Sequence, residues 1–223
     1  MSPNFSLRFL QDTLPPNCPP AYLNASNRCL YMVSGSATIE FENGAQYLST
    51  GSAWFGNESI GITTGAQAAT IWRWEITPAK MPDDGAIKTA PGVESIPRLS
   101  AELCLDPNQE WLMRCDRVDF PINGVALTHV HQGPGIRCCL FGSIEIHAEG
   151  NVQTYNPSEP WLELGHEPVL AKTSSVEPTA FVRCFILPQT CKGKPSIRYV
   201  NPEDVSKPKS QKYVIFGERY INI

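Results

Sequence analysis

Apolar residues come in short runs rich in Val, Ile, Phe, Tyr and Trp, such as Ala37-Thr-Ile-Glu-Phe41, Ala69-Thr-Ile-Trp-Arg-Trp-Glu-Ile76, Asp116-Arg-Val-Asp-Phe120 and Ile144-Glu-Ile146. Each run is bounded by Gly, Pro, Asn or Ser, and almost no window places apolar residues at the i, i+3, i+4, i+7 spacing of a helix. Short strands with frequent turns predict an all-β sandwich or barrel. One short helix is expected around Pro97–Leu105, and a last strand at Tyr213-Val-Ile-Phe216 could pair with another barrel or with a second subunit.

The pattern occurs twice. Gly35-Ser-Ala-Thr-Ile-Glu-Phe-Glu-Asn-Gly44 is similar to Gly142-Ser-Ile-Glu-Ile-His-Ala-Glu-Gly150, and each first glycine is followed by a tryptophan at the same distance, Trp54 and Trp161. Further on, the stretch from Ala69 to Pro78, with Arg73 inside it, parallels Thr179 to Pro188, with Arg183 inside it; a short insertion separates the landmarks in the second copy. Tandem homologous units therefore predict two domains, 1–95 and 96–223. Residues from Thr77 to about Pro97 are polar and rich in Pro and Gly, which is linker composition.

Charge narrows the partners. With 18 Lys and Arg against 22 Asp and Glu the chain carries a net −4, so no broad positive field is expected for nucleic acid. No run approaches the roughly 20 apolar residues that span a bilayer, and no leader pattern opens the sequence, which predicts a cytoplasmic protein without a membrane partner. Most of the eight cysteines sit inside apolar runs and read as small buried hydrophobes rather than disulfides. Cys138 and Cys139, as strand neighbours, point to opposite faces and are expected to share no ion.

Chemistry concentrates in Gly124-Val-Ala-Leu-Thr-His129-Val-His131-Gln-Gly-Pro-Gly135-Ile-Arg137. Histidines at i and i+2 on a strand project from one face, so both imidazoles can reach one metal ion inside a barrel. The motif resembles the first signature of the cupin superfamily, and the resemblance covers roughly residues 20–80 and 115–190. It implies two tandem cupin-type double-stranded β-helix (jelly-roll) barrels, one divalent transition metal (Fe(II), Mn(II), Ni(II) or Zn(II)) in the carboxyl-terminal barrel, a small-molecule ligand and a homodimer.

The sequence departs from that family at two ligand positions. The stretch after His131 that usually supplies a glutamate is Gly133-Pro-Gly135-Ile136, and the slot of a third histidine holds Val169. Glu163, in Trp161-Leu-Glu163, is the expected third ligand, with His166 as the competitor in the following turn. His147 should face outward. Arg137 could reach a substrate carboxylate or form an ion pair at the rim, whereas Arg183, shared with the first copy, is read as architectural. At a fixed spacing His129, His131 and Glu163 fall on Tyr22, Asn24 and Gly56, so the first barrel should hold no metal, with Trp54, Trp72 and Trp74 in its core or an interface. Two functions remain open: a metal-dependent, oxygenase-like enzyme acting on a small polar molecule, or a non-catalytic binding or structural bicupin.

Overall fold

In the computed structural model, which describes residues 4–81 and 84–222, the β-rich reading holds throughout. Pro82 and Asp83 of the expected linker lie outside the described residues. The chain divides into two units, residues 1–106 and 107–223.

The first unit contains β1 (Phe5–Leu14), β2 (Ala21–Leu23), β3 (Asn27–Ser34), β4 (Ser36–Phe41), β5 (Gly44–Ser49), β6 (Ala53–Gly56), β7 (Ile60–Thr64), β8 (Ala69–Pro78) and β9 (Glu94–Leu103). They form two antiparallel sheets, β6-β3-β8-β1-β9 and β2-β7-β4-β5. The second unit repeats this strand for strand: β10 (Trp111–Phe120), β11 (Val125–His131), β12 (Gly135–Phe141), β13 (Ile144–Ala148), β14 (Asn151–Tyr155), β15 (Pro160–Glu163), β16 (Val169–Thr173), β17 (Thr179–Pro188) and β19 (Lys212–Ile221), with β18 (Ile197–Tyr199) added. Its sheets run β15-β12-β17-β10-β19 and β14-β13-β16-β11-β18. Each unit is a jelly-roll barrel whose inward side chains fill the space between its two sheets.

Alternation explains which residues go inside. Leu30, Ile39, Ile62, Ile71 and Trp54 join the core of the first barrel, and Val118, Ile144, Ile146, Trp161 and Phe181 that of the second. Each buried aliphatic or aromatic side chain contributes about 1.5–3 kcal/mol. Trp72 and Trp74, one strand position away from Ile71 and Arg73, are buried on the opposite face of β8, where Trp74 packs on Phe9 at 4.7 Å. The glycine that opens each repeat is required by geometry. Gly35 and Gly142 have φ of +75° and +74°, and an added Cβ would lie 2.1 Å from the Ala68 carbonyl oxygen or 2.4 Å from Thr179 Oγ1.

Two expectations change. Residues 94–103, expected to be the end of the linker and most of a short helix at Pro97–Leu105, are strand β9, paired with β1 along nearly its whole length. β9 is an edge strand, and the ladder shifts register opposite Pro97 and Leu99, which is where a proline is tolerated. The division between units accordingly falls at 106/107, beyond the expected 95/96, because β9 belongs to the first barrel. The strand expected at Tyr213–Phe216 is the middle of β19, and it pairs with β10 of its own barrel.

Candidate functional site

β11 does not alternate evenly. Its pairing with β16 joins Ala126 to Ala171 and His129 to Val169, so one extra residue bulges between them. The bulge re-aims the strand so that Ala126, His129 and His131 are all buried. It also shifts the internal correspondence. Ala37 and Ile39 pair with Thr64 and Ile62 as Ile144 and Ile146 pair with Thr173 and Ala171, which makes Ile60 the counterpart of Val169. Leu23 pairs with Ile60 and is therefore the counterpart of His129, one residue beyond the Tyr22 that fixed spacing gives.

The imidazoles converge. His129 Nε2 lies 3.2 Å from His131 Nε2. His129 Nδ1 donates to the Leu127 carbonyl oxygen at 2.7 Å, which fixes the tautomer and leaves its Nε2 as a lone pair. Burial pushes the His129 imidazole below its ordinary value and His131 down to about 3, with the Arg137 charge adding to the effect on His131. Both rings are neutral at physiological pH. Nitrogens about 2.0–2.1 Å from one ion and 3.2 Å from each other would subtend roughly 100° at it, between octahedral and tetrahedral values.

Glu163 reaches the pair from β15. Its Oε2 is 3.3 Å from His131 Nε2 and 2.8 Å from Arg137 Nη2, and its Oε1 accepts from Trp161 Nε1 at 2.8 Å. Burial alone would raise the Glu163 carboxyl, but Arg137 and then His131 hold it well below the usual carboxylate range. Burial in turn lowers the Arg137 guanidinium to about 10. The three donors are thus two neutral imidazoles and one carboxylate, a set that suits a divalent transition metal. Two features oppose an ion. Among the described residues no group of three His, Cys, Asp or Glu side chains closes into a metal-holding cluster, and Glu163 Oε2 lies nearer Arg137 than His131. His131 Nδ1, which would carry the proton once Nε2 bound a metal, is buried without a hydrogen-bond partner.

A cavity of about 530 Å³ opens in front of the histidines. Its walls are mostly apolar, with Val118, Phe120, Ile144, Ile146 and Phe181 prominent, and Asp116, Glu163 and Arg183 line it together with the two histidines. Asp116, Arg183 and Arg137 form one row across β10, β17 and β12. Arg183 Nε and Nη2 donate to the two carboxylate oxygens of Asp116 at 2.5 and 3.2 Å. Of the two arginines only Arg183 lines the cavity; Arg137 is wholly buried and not at the rim.

The other candidates lie elsewhere. His166 is at the surface beside Glu167, its side chain 71% exposed, and His147 is partly exposed against Glu145. Seven of the eight cysteines are buried, Cys138 and Cys139 included. In the first barrel the counterpart of Glu163 is Gly56, where an added Cβ would strike the Trp54 ring at 2.0 Å. The tryptophan fills the space that the carboxylate occupies in the second barrel. Asp116 and the cavity role of Arg183 were missed in the sequence; the available signal was a charged residue at a buried or half-buried position on each of two facing strands.

No protein-family model and no curated protein matches the chain. Solved structures do. AerE from Microcystis aeruginosa superposes with a TM-score of 0.59 at 13% identity over 84% of this chain and 94% of its own. Oxalate decarboxylase from Bacillus subtilis gives 0.60 at 12% identity, over 93% and 73%. Procruciferin, an 11S globulin from Brassica napus, gives 0.58 at 7%, over 80% and 75%. No helix among the described residues is long and apolar enough to cross a membrane. In architecture the chain is two jelly-roll barrels in tandem, similar in fold to these structures.

Proposed function

We propose that the second barrel holds one divalent transition metal through His129 Nε2, His131 Nε2 and Glu163 Oε2, and acts on a small molecule bound in the adjoining cavity as an oxygenase-like enzyme. The observation that carries this reading is the convergence of two neutral, buried imidazole nitrogens at 3.2 Å on a carboxylate-bearing wall. An ion there would polarise a bound oxygen function and, if redox-active, support oxidation by dioxygen.

The chain's own residues supply the surroundings. Trp161 and Arg137 orient Glu163 and keep it ionised, and the Leu127 carbonyl holds His129 in the tautomer whose Nε2 faces the partner ring. The apolar walls exclude water and strengthen electrostatic interactions at the histidine end. Neutral histidines at working pH mean that a cation need not displace protons from them.

A second reading, a metal-free binding module, is favoured by the Arg137–Glu163 contact and the partnerless His131 Nδ1. Oxygen uptake by the metal-loaded protein with a panel of small phenols, keto acids and thiols separates the two. Uptake that disappears in the His129→Ala/His131→Ala variant supports the enzyme; uptake unaffected by that substitution, or none with any compound, contradicts it.

A further inference from the structure

We propose that the cavity of the second barrel takes a small monocarboxylate with an apolar body, and that Arg183 holds the carboxylate. The inference rests on the reading of this cavity as a small-molecule site and is independent of the ion. It comes from comparing the two copies of one arginine. In the first barrel Arg73 is bound by two protein carboxylates: Nε and Nη2 meet Asp12 at 2.6 and 3.0 Å, and Nη1 meets Glu75 at 2.9 Å. Nη2 also donates to the Gly85 carbonyl oxygen at 2.8 Å. Arg73 is fully buried and spent.

In the second barrel Arg183 keeps only the first partner, Asp116. The position of Glu75 is taken by Phe185. The pairings make this correspondence: Arg28 opposes Glu75 as Gly135 opposes Phe185. Arg183 Nη1 has no hydrogen-bond partner among the described residues, and the guanidinium, held 4.5 Å over the Phe185 ring, lines the cavity. The barrel thus presents a rigid guanidinium edge from which one carboxylate has been removed, to a chamber with large apolar walls that Arg114, Glu163, Arg198 and Lys209 also line. A ligand carboxylate on Nη1 replaces the missing Glu75, and the apolar body lies among Val118, Ile144 and Phe181. The two carboxylates that line the cavity are each paired with an arginine, Asp116 with Arg183 and Glu163 with Arg137, and repel the newcomer less than lone carboxylates would.

The test titrates 3-phenylpropionate and its neutral counterpart 3-phenyl-1-propanol into the full chain by calorimetry. The acid is expected to bind at least about tenfold more tightly than the alcohol, the worth of one charge-assisted hydrogen bond. An Arg183→Leu/Asp116→Leu variant, which removes both charges and leaves neither buried alone, should lose that preference. Phe185→Glu, which supplies the first barrel's second carboxylate to the arginine, should lose it too while keeping Arg183. Equal binding of the two probes overturns the inference and leaves the small-molecule reading standing. Binding of neither probe, or a preference that survives in either folded variant, also overturns it. Metal content measured on the same samples reports on the ion separately.

Discussion

At Glu163 one carboxylate accepts from Trp161, faces Arg137 and touches His131, so its removal exposes what each neighbour depends on. Glu163→Gln leaves a wholly buried guanidinium without its counter-charge, and the expected cost is about 3–5 kcal/mol in urea denaturation. Arg137→Met combined with Glu163→Leu should cost less than Glu163→Gln alone, because no buried charge is stranded; an equal or larger loss contradicts the pairing. Glu163 was legible in the sequence through the Trp161-Leu-Glu163 segment and its place after the histidine motif. Arg183 was not, because its match to Arg73 suggests a shared architectural role. The difference lies at another residue, Glu75 against Phe185, and shows only when strand pairing sets them side by side.

Strands and turns were the most legible layer, since short runs between glycines and prolines require barrels of the kind observed. The repeat glycine offers a direct check. Gly142→Ala combines a positive φ with contacts at 2.4 and 2.5 Å to Thr179 Oγ1 and the Pro178 carbonyl oxygen, whereas Gly150 has φ +76° with nothing within 4 Å. Gly150→Ala is expected to cost about 1 kcal/mol from backbone strain alone, and Gly142→Ala clearly more, as measured by thermal unfolding. Equal costs would mean that the turn relaxes around the methyl group. β9 reads as the end of a linker followed by a short helix because Pro97 and scattered polar residues hide its strand pattern, and its edge position is what lets such a strand exist. The bulge in β11 was invisible for a different reason: the extra residue is revealed by its partner strand and not by its own composition.

Across the whole molecule, the same barrel occurs once with a cavity that Glu163 and Arg183 line and once with Gly56 at the glutamate's position and an arginine held by two protein carboxylates. In the first barrel burial alone would raise the Glu75 carboxyl, but Arg73, Arg28 and Arg8 together hold it below its ordinary value. Its folded pKa therefore lies below the unfolded value of about 4.3, so the unfolded chain takes up the proton first as pH falls. The stabilisation is present above the unfolded pKa and is lost as pH drops through the folded one. Glu75→Gln should lower the thermal midpoint strongly at about pH 7 and by a smaller margin at about pH 3; a penalty that does not shrink contradicts the network. The proposed metal site lies in the second barrel alone, and elemental analysis of untagged full-length protein tests that proposal most directly. Close to one transition-metal ion per chain is expected, with a folded His129→Ala/His131→Ala variant that carries none. Metal-free wild-type protein, or an ion that persists in the variant, would contradict it.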